Sequence, residues 1–549
     1  MFKTPFFDEY CFAKSIECIC NIYFVLIKHT IFSMKKAEKS FISGALILSL
    51  GGLFAKILGA LYRIPLTNII GSYGMGLYQL VFPPYILFLT IAQAGIPVAL
   101  SKLIAENNQL GRFDESRKTF RFAFVLLTLL GLLSVGLMIG LSGVIAKSQG
   151  NSETATAFII VAPALLFVPI TNALKAYFQG NMNMVPSGVT TVIEQIVKLA
   201  VGLFCAVKFM PDVKKAVMGA VFAITVSEFG SMLIMSVVYL VHIKKRKVGK
   251  ISVKTNEVKG LAKPIFALAI PVALGGFAMQ MSQVIDSVMV VNLLTVPNAT
   301  EMYGLWTGPV NSMLGLPIAL SSGIAVSALP SITKTYYSGD KEKLSVAFNT
   351  AMKLTLVISL PCAFGMIVLS RPILQLLYGS LPSNEIYIAS ILLSLSGLSI
   401  VFLAIMQTAV SVCQAVGKPY ASVIIISFAI VVKALVNLFT LPNAKINIYG
   451  AAISETLCYL FATVYVIIYL KRKVGLKLDI NQCVVKPMAA GVLMTLCILV
   501  ATLFTNGTFN SSWGTLLLIA LSGLIYFATV FMLKVFDRSE LTFLPAKQK

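Results

Sequence analysis

The chain is poor in the residues that carry most enzyme chemistry. Histidine occurs twice, as His29 and His242, far apart in sequence, which leaves little for histidine-based catalysis. There is no glycine-rich phosphate loop, no paired set of zinc ligands and no nucleophile–base set, so ATP hydrolysis within the chain is excluded. Work done on a solute must draw on the membrane potential, an ion gradient or the solute's own gradient. No cofactor is expected beyond a coupling Na+ or H+. The nine cysteines follow no motif spacing, and Cys205, Cys362, Cys413 and Cys458 lie within apolar runs. That argues against a disulfide framework and a metal cluster alike. Charge is scarce too, at 12% of 549 residues, where a soluble domain carries roughly 25%. With 58% hydrophobic residues, the composition describes a multi-spanning membrane protein.

Fourteen apolar stretches are long enough to cross a bilayer. They run 41–63, 77–104, 119–146, 155–178, 186–209, 215–243, 263–294, 305–333, 346–370, 386–413, 419–441, 448–470, 484–505 and 513–535. The expected fold is therefore an all-α membrane protein of about fourteen transmembrane helices. Residues 1–33 read differently. The run Ile16 to Ile27 is too short to span and contains Glu17 and Asn21. Met34-Lys35-Lys36 would be a natural start, so 1–33 is expected to be an extension outside the fold.

Basic residues follow the even-numbered stretches: Lys102, Arg112, Arg117 and Lys118; Lys244-Lys245-Arg246-Lys247; Lys334, Lys341 and Lys343; Lys471-Arg472-Lys473. The positive-inside rule then places both termini in the cytoplasm. It also accounts for most of the net charge of +23 without invoking nucleic acid.

The chain repeats itself. Phe178-Gln179 and Lys198 match Cys413-Gln414 and Lys433 at one offset, and the spacing from Gly95 to Gly111 equals that from Gly323 to Gly339. Ser227-Glu228 before a basic run reappears as Ser454-Glu455 before another. Spans one to six (34–250) thus pair with spans seven to twelve (251–480) as two parallel six-helix lobes, with 481–549 supplying two extra C-terminal helices and a tail. A binding site is expected between the lobes.

Charges inside spans mark where something polar is handled, because hydrocarbon penalises them. The first span carries Lys56 and Arg63, two helical turns apart on nearly one face, and points to an anionic substrate. Arg63 has a blander alternative, reaching the headgroups along its stem. Glu194 and Lys198 stand at i and i+4 in span five, spaced either for a site or for mutual neutralisation. Asp286 in span seven neighbours Ser287, the repeat counterpart of Arg63, and is placed to pair with Arg63 or to accept a coupling cation. Gln79 and Gln283 add hydrogen-bonding capacity. Glu228 and Glu455 share a repeat position, which suggests a structural role.

Several local sequences resemble one superfamily. They are Phe54-Ala55-Lys56-Ile57-Leu58-Gly59 with Arg63-Ile64-Pro65, Gly95-Ile96-Pro97, Tyr177-Phe178-Gln179-Gly180, Glu194-Gln195-Ile196-Val197-Lys198, Gln283-Val284-Ile285-Asp286 and Leu360-Pro361. In this order they resemble the multidrug/oligosaccharidyl-lipid/polysaccharide exporters, and within them the polysaccharide-type branch of stage V sporulation protein B and MurJ-type lipid II flippases. The resemblance implies a flippase, not an enzyme, carrying a polyprenyl-diphosphate-linked cell-wall precursor to the outer leaflet by alternating access. It also implies a bacterial, Gram-positive plasma membrane and cell-wall synthesis enzymes as possible partners. Lys56 and Arg63 match first-span cations that hold the diphosphate. The family's arginines in spans two and eight have no counterpart here, and Lys198, Lys353 and Lys433 are the cations available to replace them. Another lipid-linked polysaccharide, or a cation-coupled drug antiporter of the same superfamily, is the alternative cargo class.

Overall fold

A computed structural model describes residues 41–245, 258–476, 478–504 and 512–536. The predicted extension 1–33 and much of the basic run after Lys245 lie outside the described residues. Those described are helical throughout, with no strand among them. The first half comprises α1 (Phe41–Gln93), α2 (Ile96–Gln109), α3 (Phe113–Ser148), α4 (Thr154–Val161), α5 (Ala164–Gly180), α6 (Val185–Phe209) and α7 (Val213–Lys245). The second comprises α8 (Val258–Leu293), α9 (Ala299–Leu305), α10 (Asn311–Tyr337), α11 (Lys341–Val368), α12 (Ser370–Leu377), α13 (Ser383–Ala415), α14 (Pro419–Thr440) and α15 (Tyr449–Lys473). Last come α16 (Lys486–Phe504) and α17 (Ser512–Met532).

Every one of the fourteen predicted stretches falls on helix. Among the described residues, ten helices are long and apolar enough to cross a membrane, one of them covering Gly51–Gln109 and so two predicted stretches. Many large apolar side chains point away from the protein, among them Leu129, Phe204, Phe439 and Leu524. Such a surface suits lipid, where an intrahelical backbone already satisfies its own polar groups.

The first two predicted spans are not separated by a loop. Helix α1 runs through both and breaks its geometry at Gly71, where φ is +70°. That region of backbone space suits glycine because it has no Cβ to clash. At the other end of the second span, Gly95 adopts φ +69° between α1 and α2, and a Cβ there would overlap the Ala269 carbonyl oxygen of α8.

Two buried cores draw on the first half, one around Tyr62, Met75, Tyr78 and Phe158, the other around Ile96, Leu100, Phe120 and Phe178, with Ile265 and Ala269 of α8 added. Two draw on the second half, around Trp306, Leu360 and Leu392 and around Phe348, Val412 and Val466. The last two helices pack on α11 through Met494, Ile498, Leu518 and Tyr526, around Val357. Where the halves meet, at the end remote from the basic connections, α1 crosses α9 so closely that a Cβ on Gly304 would overlap the Ser72 carbonyl oxygen. Asn68 Nδ2 donates to the Leu377 carbonyl at 2.8 Å, and Asn151 Nδ2 to Thr300 Oγ1 at 3.1 Å, across the same junction.

Candidate functional site

A cavity of about 390 Å³ opens between α1 and the second half of the chain. Its wall includes Arg63, Gln79, Phe82 and Pro83 from α1 and Gln283 and Asp286 from α8. Tyr303, Trp306 and Asn311 close one side, while Lys433 of α14 and Glu455 and Tyr459 of α15 form another.

Local backbone geometry positions part of this wall. Trp306–Val310 forms one π-helical turn containing Pro309. The Asn311 N–H reaches the Trp306 and Gly308 carbonyls and skips Thr307. The freed Thr307 carbonyl accepts from Gln79 Nε2 at 2.7 Å, so α1 is pinned to this turn across the cavity. Such turns recur at functional sites because they release backbone groups from the helical ladder.

The charges divide unevenly. Lys433 Nζ lies 2.5 Å from Asp286 Oδ2, and Asn437 Nδ2 donates to Asp286 Oδ1 at 3.3 Å. The same ammonium sits 5.6 Å from the centre of the Trp306 ring, a favourable cation–π placement. Tyr459 Oη donates to Glu455 Oε1 at 3.3 Å. Arg63 differs: among the described residues its guanidinium has no ion-pair or hydrogen-bond partner, although its carbonyl accepts from Thr67 Oγ1 at 2.8 Å. Three more polar atoms from residues of the wall, Trp306 Nε1, Gln407 Oε1 and Glu455 Oε2, are buried with no hydrogen-bond partner among the described residues. An unmet polar atom in a dry interior costs free energy.

Four of the seven candidate residues therefore line one cavity: Arg63, Gln79, Gln283 and Asp286. The pairing expected between Asp286 and Arg63 is not made, because Lys433 reaches the carboxylate first from a neighbouring helix. Lys56 stands outside the wall, exposed, with Nζ donating to Ser322 Oγ of α10 at 3.3 Å. Seven residues of helix put it about 10 Å along the axis from Arg63. Glu194 lies 3.8 Å from Lys175 of α5. Lys175 Nζ also donates to Thr191 Oγ1 at 3.1 Å. Lys198 lies half-buried near Glu194 and Glu228, in a first-half cluster off the cavity wall.

Lys175 and Glu455 went unmarked as site residues in the sequence. Lys175 lies in an apolar run, and the rule that flagged Lys56 would have flagged it. Lys433 entered as a repeat landmark and as one of three cations available to replace the family's missing arginines, and Glu455 as a structural repeat position. Neither was matched to Asp286, although that residue on a neighbouring span supplied the opposite charge for Lys433.

A bundle of membrane-length helices around a charged internal cavity is the architecture of a membrane transporter. The chain belongs to the polysaccharide biosynthesis protein family, whose model matches residues 41–336; the MatE model matches residues 271–439. It is 27% identical to the lipid II flippase MurJ of Bacillus subtilis (strain 168) over 79% of this chain and 82% of that protein. It is 26% identical to stage V sporulation protein B of the same organism, over 63% of this chain and 68% of that one. Among solved structures, an inward closed lipid II flippase MurJ superposes with TM-score 0.70 at 17% identity, covering 89% of this chain and 99% of the other. An inward-facing MATE family transporter gives 0.62 at 15% identity, over 76% and 94%. The chain is thus a transporter of the multidrug/oligosaccharidyl-lipid/polysaccharide exporter superfamily.

Proposed function

We propose that the chain flips a polyprenyl-diphosphate-linked saccharide from the inner to the outer leaflet, with lipid II for peptidoglycan synthesis as its cargo. The observation that carries this reading is the unpartnered Arg63 guanidinium on the cavity wall. An isolated cation in a low-dielectric site is costly, and a diphosphate would relieve it through two parallel charge-assisted hydrogen bonds. Sugar hydroxyls can meet Gln283 and Asn311 on the same wall. The isoprenoid tail stays in lipid, against the surface that α16 and α17 extend. The similarity to the lipid II flippase MurJ supports the same cargo class.

In this account the two halves rock about the cavity in a plasma membrane of Gram-positive type, with both termini cytoplasmic and wall-synthesis enzymes near the exit. Turnover is driven by the membrane potential or by a Na+ or H+ gradient. A second reading, a cation-coupled antiporter, draws on Glu455, whose Oε2 is buried without a partner. Asp286 weighs against it, since Lys433 already occupies that carboxylate.

The test is made in cells depleted of their own flippase. Expression of the wild-type chain should restore lipid II to the outer surface, where it can be labelled. No restoration of lipid II, with restored export of a different lipid-linked glycan, would reassign the cargo.

A further inference from the structure

Lys433 has more hydrogen-bonding capacity than its partners use. An ammonium carries three donors. One is spent on Asp286 Oδ2 at 2.5 Å, and the Trp306 ring lies 5.6 Å from Nζ. Asn437 steadies the other carboxylate oxygen at 3.3 Å, so Asp286 is itself held in place. Although only 7% exposed, Lys433 lines the same cavity as Arg63. A buried ion pair adds little net stability compared with well-packed apolar residues. Its position on a cavity wall therefore calls for a reason other than stability.

The repeat sharpens the point. Lys198, the counterpart of Lys433, is turned into a cluster with Glu194 and Glu228 off the cavity wall. Arg63 has the neutral Ser287 as its counterpart, and Ser287 is fully buried, its Oγ accepting from Gln149 at 3.0 Å. Each half thus presents one cation to the cavity, from non-equivalent helices: Arg63 on α1 and Lys433 on α14.

We infer that Lys433 is a second phosphate-binding residue, and that Asp286 is the positioning residue that fixes its ammonium on the wall. This rests on the reading of the cargo as a lipid diphosphate. One phosphate group meets Arg63 and the other meets Lys433, so the headgroup bridges the two halves. A cargo gripped from both sides resists release until the halves separate, which ties binding to the rocking motion.

The experiment uses the full chain in detergent, with farnesyl diphosphate and farnesyl monophosphate as probes in calorimetry. The double variant Asp286→Asn with Lys433→Gln removes both charges and leaves no unpaired buried ion, so it keeps the fold. Diphosphate affinity should fall roughly tenfold in this variant, about the loss of one charge-assisted contact, while monophosphate affinity changes little. Lys433→Arg should retain the diphosphate preference. Equal losses for both probes would indicate a structural role and overturn the assignment. If Arg63→Gln abolished diphosphate binding and the double variant kept the wild-type preference, Lys433 would be no contact, with the cargo reading intact. A wild-type chain that binds neither probe would overturn the cargo reading and the inference together.

Discussion

Gln149 reaches out of α3 to Ser287 of α8, its Nε2 donating at 3.0 Å to Ser287 Oγ and at 3.0 Å to the Leu80 carbonyl. One buried amide thereby ties three helices from both halves of the chain. Gln149→Ala would leave the Leu80 carbonyl without this donor in a buried place, at a cost of about 1–3 kcal/mol. The expected result is a lowered thermal midpoint in detergent. An unchanged midpoint would mean that the contact is not a stabilising seal.

The same junction offers a lock. Asn151 and Thr300 approach to 3.1 Å through their side chains, one from each half. Cysteines introduced at both positions should cross-link under oxidation and stop transport, and reduction should restore it. Transport by the oxidised protein at the reduced rate would show that this end does not need to open.

The Lys433–Asp286 pair gives a third expectation. Removing one partner strands a buried charge, which typically costs about 3–5 kcal/mol. Lys433→Gln alone and Asp286→Asn alone should therefore melt well below the wild type, with the double variant recovering most of the loss. Thermal unfolding followed by circular dichroism separates this from additive damage, in which the double variant is worst.

A pH dependence follows from the loop between α3 and α4. Burial pushes the Glu153 carboxyl upward, but hydrogen bonds from Lys214, at 2.6 Å, and from the Tyr73 hydroxyl, at 2.8 Å, outweigh it and hold the group below its ordinary value. A depressed carboxylate stabilises the fold above its unfolded pKa, and that contribution is lost as pH falls through the folded value. Glu153→Gln should lower the melting temperature slightly near neutrality, since both partners are partly exposed. The gap from wild type should close as pH falls below about 4. A gap that persisted in acid would assign the effect to something other than the carboxylate's charge.

Much of the fold was legible because membrane helices announce themselves through length and apolarity, and all fourteen stretches fall on helix. The continuity of α1 was not, since a glycine at φ +70° lets one helix bend into the next without the polar loop that would mark a boundary. At the site, Arg63, Gln79, Gln283 and Asp286 were visible as polar residues in apolar runs. Their partners were not. Spacing along one helix suggested Glu194 with Lys198, whereas Lys175 approached Glu194 from α5. Asp286 likewise found Lys433, 147 residues away in sequence, and no local pattern encodes such a contact. The π turn that frees the Thr307 carbonyl for Gln79 was hidden for the same reason.

The central claim is that Arg63 grips the diphosphate of a lipid-linked saccharide as it crosses. Purified wild type and Arg63→Gln would be reconstituted into liposomes carrying fluorescent lipid II, and the appearance of headgroup in the outer leaflet would be timed. Loss of a charged hydrogen-bonding partner is worth about 1.5–3 kcal/mol, or roughly ten- to a hundredfold. The wild type should flip the lipid well above the protein-free rate, and Arg63→Gln should fall by at least that factor with an unchanged melting temperature. Equal rates for the two proteins would contradict the account.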